Sequence, residues 1–266
     1  MGKILNGYIL PHPPIIVPGI GRGREREANA TIAAVKKAAS EIGKDKPSTI
    51  ILSTPHAPCF RDYVYIYDTE VLAGDFAAFG SPDIKFEFKN NMTLFSSITE
   101  KAKLAGIDAG GVSERQKTGY GISGKLDHGA LVPLCFAAKE LEEFSLVCIS
   151  TPFLPFQELC RFGQCIREAV EESGENAVYI ASGDLSHRLT PDASAGYSPK
   201  GREYDEFLVE KVRKGDVEGL LGIEESFLEK AGECGTRSIV MMFGALRNRK
   251  FDPEVYSYEG PFGVGY

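Results

Sequence analysis

The chain has 266 residues, of which 43% are hydrophobic and 25% are charged, as is ordinary for a globular protein. Its 30 basic and 37 acidic residues give a formal net charge of −7, and apart from a short basic run at 247–250 no cluster suggests nucleic-acid binding. Because no stretch approaches the roughly 20 apolar residues of a membrane span and no signal peptide is recognisable, we expect a soluble, cytoplasmic protein without a membrane partner.

Short apolar runs alternate with amphipathic segments along the whole chain, a pattern typical of buried strands separated by helices. We predict strands at residues 4–10, 49–53, 63–67, around Leu72, and at 86–88, 145–150 and 177–181. We predict helices at residues 28–42, 94–105, 130–142, 156–172, 204–213 and 236–246, with the glycine-rich stretch 110–129 as a mobile loop. This order predicts a single α/β domain over residues 1–266, with a mostly parallel central sheet and helices on both faces.

Three of the four histidines follow directly after predicted strands: His12 after 4–10, His56 after 49–53 and His187 after 177–181. Residues just beyond the carboxyl ends of parallel strands converge on one crevice. The fourth, His128, precedes a predicted helix, where a loop could bring it over the same crevice. Prolines beside His12 and His56 restrict the backbone, which would hold a metal ligand in place before an ion binds.

A carboxylate beside two histidines would complete the ligand set that non-haem Fe(II) oxygenases use. The candidates are Asp184, Glu233, Glu254 and Glu259. Glu233 is the best placed, because it lies just ahead of a predicted helix where a tight turn could aim it into the crevice. We interpret Asp184 as a turn or capping residue that could also orient a ligand, and Glu259 as part of a loosely held terminal segment.

The glycine-rich segment at residues 19–24 follows the first strand and superficially resembles a phosphate-binding loop. It lacks the Lys-Ser/Thr ending of a P-loop and the glycine spacing of a dinucleotide fingerprint. We therefore interpret it as a flexible lip over the crevice, where Arg22 or Arg24 could meet an acidic substrate.

Five segments, taken in order, resemble the class III extradiol ring-cleavage dioxygenases: Pro-His-Pro-Pro, Pro-His-Ala-Pro, Asp-His-Gly-Ala-Leu-Val-Pro-Leu, Gly-Asp-Leu-Ser-His and Gly-Glu-Cys-Gly. The resemblance implies an oxidoreductase that opens a catecholic or related small aromatic ring with O₂, using Fe(II), or else Zn or another divalent metal. It implies His12, His56 and Glu233 as metal ligands and His187 as the acid–base residue. His128 would be a second active-site histidine that contacts the substrate or bound oxygen.

The same segments also resemble the Memo proteins, in which a cysteine takes the third metal-site position, and here Cys234 is adjacent to Glu233. That resemblance implies a different redox reaction or a non-catalytic role in binding protein partners. We nevertheless expect Cys234 to lie close to the site without binding metal. Because it precedes a helix N-terminus, we also expect a lowered thiol pKa.

Two further features concern partners. The closing segment Glu-Gly-Pro-Phe-Gly-Val-Gly-Tyr resembles a subfamily that occurs with AMMECR1-type domains and radical-SAM proteins, which implies a functional link to such proteins. The aromatic stripe at residues 63–67 is interpreted as internal packing or as the edge of a homodimer.

Overall fold

Eight strands and nine α-helices lie within residues 1–247 and 249–266, the part of the chain that this computed structural model describes. The strands are β1 (Lys3–Leu10), β2 (Thr49–Thr54), β3 (Val64–Tyr65), β4 (Val71–Phe76), β5 (Ser81–Asn90), β6 (Ala109–Gly110), β7 (Ser145–Ser150) and β8 (Asn176–Ser182). The helices are α1 (Asn29–Asp45), α2 (Met92–Leu104), α3 (Glu114–Tyr120), α4 (His128–Ala137), α5 (Phe156–Ser173), α6 (Pro199–Lys214), α7 (Val217–Leu221), α8 (Glu225–Ala231) and α9 (Thr236–Leu246).

Six of the strands form one sheet in the order β1-β8-β2-β7-β5-β4. Neighbouring strands are parallel, except that β4 runs antiparallel to β5 at one edge. The central strands β2, β7 and β8 are buried along almost their whole length, as expected for strands that are covered on both faces. The predicted fold class, an α/β fold with a mostly parallel central sheet flanked by helices, is confirmed. The short strands β3 and β6 form a separate parallel pair.

Alternate residues of the central strands face two different hydrophobic clusters. Ile51 and Val147 belong to the cluster that includes buried residues of α2, α5 and α9. Ile50 and Leu146 belong to the other cluster, which includes buried residues of α1 and α4. Burying one such side chain contributes about 1.5–3 kcal/mol, so both faces stabilise the strands whose ends carry the candidate site.

The helices differ from the prediction mainly in the second half of the chain and in the stretch 110–129. That stretch was expected to be a mobile loop, but it contains α3, which begins with a capping box formed by Ser113 and Gln116. A capping box satisfies otherwise unpaired backbone donors at a helix start, which explains why this polar segment is helical. Helices α7 and α8 were not predicted, and α4 ends at Ala137 instead of at 142. No helix within the described ranges is long and apolar enough to cross a membrane.

The carboxyl ends of three adjacent strands lie at one edge of the sheet. Strand β8 lies between β1 and β2 and is parallel to both. The segment after β1 carries His12, the segment after β2 carries His56, and the segment after β8 carries Asp184. The topology therefore brings these side chains to one place from distant parts of the sequence.

Candidate metal centre

Three histidines come together at this edge of the sheet. The nitrogen atoms that His12, His56 and His128 offer lie within 4.8 Å of one another. The Nε2 atoms of His12 and His56 are 3.0 Å apart. The ring centroid of His128 lies 4.2 Å from that of His56 and 5.5 Å from that of His12. Imidazole nitrogens in this arrangement suit a divalent transition metal.

Hydrogen bonds determine which nitrogen of His12 faces this centre. Its Nδ1 lies 2.9 Å from Oγ of Ser182, and that hydroxyl donates to the carbonyl oxygen of Gly129 at 2.5 Å. Because a carbonyl only accepts, the Ser182 proton goes to Gly129, and Oγ is left to accept from Nδ1–H of His12. The lone pair of His12 is therefore on Nε2, the atom that faces His56, which is the tautomer a metal requires.

His128 is held against His56 through the residue that precedes it. Asp127 caps α4, and its Oδ1 accepts a hydrogen bond from Ala130 N at 3.2 Å and another from Thr54 Oγ1 at 2.7 Å. The bond to Thr54 ties the start of α4 to the end of β2, which is two residues before His56. Within the described residues, Oδ2 of Asp127 is buried without a hydrogen-bond partner. A cation bound beside His56 would offset that carboxylate charge, so the surroundings fit a metal.

The electrostatic surroundings keep all three imidazoles neutral near pH 7. Burial, reinforced by the neighbouring histidines, lowers the pKa of His12 well below its usual range. Partial desolvation lowers the pKa of His56, and it lowers that of His128 to about 4. Neutral imidazole is the form that binds metals. His12 is buried while His56 is exposed and His128 is half-buried, so the centre opens to solvent on the side of the latter two.

Glu233, the predicted third ligand, makes its contacts at the start of α9. Its Oε2 accepts hydrogen bonds from the backbone N and the Oγ1 of Thr236, both at 2.7 Å, and from the hydroxyl of Tyr204 at 3.1 Å. Among the described residues, the group able to hold a metal consists of the three histidines. The carboxylate thus stabilises a helix N-terminus in this structure. Its role as a metal ligand stays a prediction.

Cys234 lies beside the site, as predicted. Its Sγ is 3.7 Å from Nε2 of His12 and accepts a hydrogen bond from the backbone N of Asp184 at 3.3 Å. The predicted lowered thiol pKa is wrong. Burial raises the pKa of Cys234 well above its usual range, and the charges of Asp184 and Glu233 raise it further. Glu233, not the thiol, occupies the N-terminus of α9, so that helix does not stabilise a thiolate here.

His187 approaches the same centre through Asp184. Nδ1 of His187 lies 2.8 Å from the carbonyl oxygen of Gly232, so it carries the proton and donates, and Nε2 holds the lone pair. This Nε2 lies 3.9 Å from Oδ2 of Asp184, which is also 3.7 Å from Nε2 of His12. Asp184 is buried, which raises its pKa to about 7. The sequence interpretation of Asp184 as a turn or capping residue left open that it could orient a ligand, and its contacts with His12 and His187 fit that role.

The other two carboxylate candidates lie elsewhere. Glu254 forms a surface ion pair with Lys37 at 2.7 Å. Oε1 of Glu259 accepts hydrogen bonds from the backbone N of Thr31 at 2.7 Å and from its hydroxyl at 2.6 Å. The terminal segment is therefore held firmly, contrary to the expectation of a loose end.

This firmly held segment brings Tyr266 to the site, a residue that the sequence interpretation missed. The backbone N of Leu185 donates to Gly265 O at 2.8 Å, and the backbone N of Gly265 donates to Ser186 O at 2.9 Å. The chain end therefore lies along the segment that follows β8. Tyr266 is buried, and burial together with the charge of Asp184 raises the pKa of its phenol. The sequence signal for it was the closing segment Glu-Gly-Pro-Phe-Gly-Val-Gly-Tyr, which was interpreted as a subfamily feature and not as part of the site.

Comparison with known proteins gives a match along almost the entire chain. The family described as the catalytic LigB subunit of aromatic ring-opening dioxygenase matches residues 6–266. The Clostridium acetobutylicum protein CA_C1420 is 43% identical over 263 residues, which cover 98% of this chain and 56% of that protein. This chain thus spans about half the length of that relative.

Two more distant relatives bear names that indicate activity or family. The 3,4-dihydroxyphenylacetate 2,3-dioxygenase of Escherichia coli is 26% identical over 278 residues, covering 97% of this chain and 95% of that enzyme. A MEMO1 family protein of Methanosarcina mazei is 24% identical over 199 residues, covering 69% of this chain and 70% of that protein. Similarity to both kinds of relative agrees with the two resemblances seen in the sequence.

Proposed function

Since this chain belongs to the family of catalytic LigB subunits of aromatic ring-opening dioxygenases, we propose that it is an extradiol-type dioxygenase with non-haem Fe(II). Its substrates would be a catecholic or related small aromatic ring and O₂. The observation that carries the proposal is the convergence of His12, His56, His128 and His187 around one opening at the carboxyl edge of the sheet. The similarity to a dihydroxyphenylacetate dioxygenase along 97% of the chain supports it.

The histidine cluster would hold the metal. His12 and His56 are the two ligands that both the sequence pattern and the nitrogen geometry support, and His128 is positioned to be the third. Glu233 would have to leave Thr236 and Tyr204 to take that place. Fe(II) is the proposed ion, with Zn or another divalent metal as the alternative. When bound, Fe(II) supplies the Lewis acidity and electron transfer that ring opening with O₂ requires.

His187 would take a proton from a hydroxyl group of the substrate. Its Nδ1–H is committed to the Gly232 carbonyl, which leaves the lone pair on Nε2 as the accepting atom. Asp184 lies 3.9 Å from that nitrogen and would stabilise the imidazolium that forms. The ring of His187 is part-exposed, with 24% of the side chain accessible, so a substrate can approach it.

A Memo-like function is the second candidate, either a different redox reaction or a non-catalytic role in protein binding. The observation that favours it is the position of Cys234, whose Sγ lies 3.7 Å from Nε2 of His12. The carboxylate of Glu233, in contrast, is bonded to Thr236 and Tyr204. The similarity to a MEMO1 family protein points the same way.

Metal analysis of anaerobically purified protein, followed by a panel of catechols under O₂, tests the proposal. We expect bound iron, O₂ uptake that depends on the catechol, and the absorbance of a ring-opened product. A metal-loaded protein that consumes no O₂ with any catechol would favour the Memo-like candidate. The homodimer and the link to AMMECR1-type and radical-SAM proteins also remain predictions, which light scattering and affinity purification with those proteins would test.

A further inference from the structure

Arg22 has an unusual backbone conformation in the loop that follows the first strand. Its φ angle is +50°, and among the described residues it is one of three non-glycine residues with positive φ. L-residues rarely adopt this left-handed region, and residues held there are found preferentially at ligand-binding sites. Arg22 is exposed. This backbone conformation and the exposure of the side chain make Arg22 a candidate ligand-binding residue.

The loop of Arg22 lies against the turn that joins β4 to β5. A Cβ atom placed on Gly80 would be 3.4 Å from Nη2 of Arg22, and one placed on Gly19 would be 3.5 Å from Cδ1 of Ile84. Residues 77–79 of this turn form a 3₁₀ helix that ends in Phe79. The Arg22 guanidinium is thus next to the residue that follows Phe79.

Phe79 connects this turn to the metal centre. Its ring packs edge-on against the ring of His128, with centroids 5.2 Å apart. Phe79 is 38% exposed, so part of its side chain is accessible to a ligand. Together, an accessible aromatic ring and a neighbouring guanidinium lie beside the opening of the histidine cluster.

The Arg22 charge has no partner in the described part of the chain, where no ion pair or side-chain hydrogen bond involves it. Arg24, the other arginine that the sequence offers for an acidic substrate, does have partners. It lies 3.7 Å from Glu27 and over the ring of Phe262, 5.1 Å from the centroid. Arg22 is therefore the arginine that is free to bind an anion.

We propose that Phe79 and Arg22 form a specificity subsite for the substituent of the aromatic substrate. Phe79 packs against the substrate ring beside His128, and Arg22 binds an anionic substituent at the far end of that ring. Guanidinium groups bind carboxylates through paired, charge-assisted hydrogen bonds, so the substrate class is a catechol that carries a carboxylate. This inference rests on the proposed dioxygenase function and specifies the substrate of the same site.

The experiment compares kcat/KM for a carboxylated catechol, such as 3,4-dihydroxyphenylacetate, with kcat/KM for the neutral 4-methylcatechol. We expect the wild-type protein to prefer the carboxylated compound. In Arg22→Gln, the ratio of the two kcat/KM values should fall by about 10- to 100-fold, the range for loss of a hydrogen bond to a charged group. Arg26→Gln is the matched control, because it removes the same charge from an exposed residue of the 3₁₀ helix Arg24–Ala28.

An unchanged ratio in Arg22→Gln overturns the subsite, and so does an equal fall in Arg26→Gln, since the effect would then be one of overall charge. A wild-type protein that prefers the neutral catechol also overturns it, while the dioxygenase function stands. If the metal-loaded wild type opens neither catechol, the proposed function fails and this inference fails with it.

Discussion

The backbone N of His12 donates a hydrogen bond to Oδ1 of Asp184 at 2.8 Å, joining the segment after β1 to the segment after β8. The other carboxylate oxygen of Asp184 lies 3.7 Å from Nε2 of His12 and 3.9 Å from Nε2 of His187. One buried side chain thus positions a proposed metal ligand and faces the proposed proton acceptor. Asp184 is therefore expected to link metal binding and proton transfer.

Asp184→Asn tests this link. The amide oxygen can still accept from the backbone N of His12, but the side chain between the two imidazoles can no longer ionise. We expect the metal content to stay near the wild-type value and kcat to fall by about 10- to 100-fold. Losses of this size are typical when a residue that contacts and orients the metal ligands is changed. Metal analysis and steady-state kinetics measure both. Wild-type kcat in a fully metal-loaded variant would show that the charge has no role in turnover.

His187→Phe separates proton transfer from metal binding. The variant should retain metal, because His187 donates Nδ1–H to Gly232 and faces Asp184, outside the three-histidine group. Loss of a general base typically lowers the rate by about 10²–10⁴-fold. His56→Ala is the matched comparison and should purify with little metal. If His187→Phe also purifies without metal, His187 is a ligand and the assignment of roles is wrong.

Metal content in variants of the two adjacent residues distinguishes the dioxygenase assignment from the Memo-like one. Cys234→Ser should retain most of the metal, because the three histidines supply the nitrogen atoms of the centre, and a serine hydroxyl can still accept the hydrogen bond that Sγ takes from the backbone N of Asp184. Glu233→Gln leaves an oxygen for the Thr236 backbone N and so preserves the start of α9. We expect this variant to lose metal if the carboxylate moves to the ion as the family resemblance implies. Loss in Cys234→Ser with retention in Glu233→Gln would support the Memo-like candidate.

The sequence predicted the parts of the site that depend on local pattern. His12 and His56 follow apolar runs whose strand character was evident, and parallel topology then brings them together. The position of His128 depends on the bond between Asp127 and Thr54, which are 73 residues apart, so no local pattern contains it. The contacts of Glu233 depend on where α9 begins. Because α9 starts at Thr236, the Glu233 carboxylate can accept a hydrogen bond from the first backbone N of that helix. Hydrophobic periodicity does not locate a helix start to within a few residues, so it could not predict this contact.

The terminal segment shows the same limit. Terminal segments are often loosely held, which favoured a loose end, yet the backbone of this segment pairs with the segment after β8 and its Glu259 side chain bonds to Thr31. Glu259 and Thr31 are more than 200 positions apart in the sequence, so no local pattern contains their contact. The helix α3, in contrast, has a local signal in the sequence, because Ser113 is followed three residues later by Gln116, the pattern of a capping box. The interpretation of this stretch as a loop overlooked that signal.

We expect the buried carboxyl of Asp205 to make the free energy of unfolding depend on pH. This carboxyl is fully buried, and its Oδ1 accepts from the backbone N of Ser186 at 2.8 Å while its Oδ2 accepts from the hydroxyl of Tyr258 at 2.7 Å. Burial raises the pKa of Asp205 to about 6. Because the folded pKa lies above the unfolded one, the native state binds this proton more tightly. The stabilisation is therefore complete below the unfolded pKa and is lost as the pH rises through about 6.

Asp205→Asn removes this titration while keeping an amide oxygen for Ser186 and a donor for Tyr258. The free energy of unfolding of the variant, relative to wild type, should therefore increase between about pH 4 and about pH 7.5, by at most about 3 kcal/mol. Urea unfolding at a series of pH values measures the difference. Asp83→Asn, which removes the same charge from an exposed position, should show a constant difference over this range. A constant difference in Asp205→Asn as well would mean that the carboxyl of Asp205 titrates alike in the folded and unfolded chains.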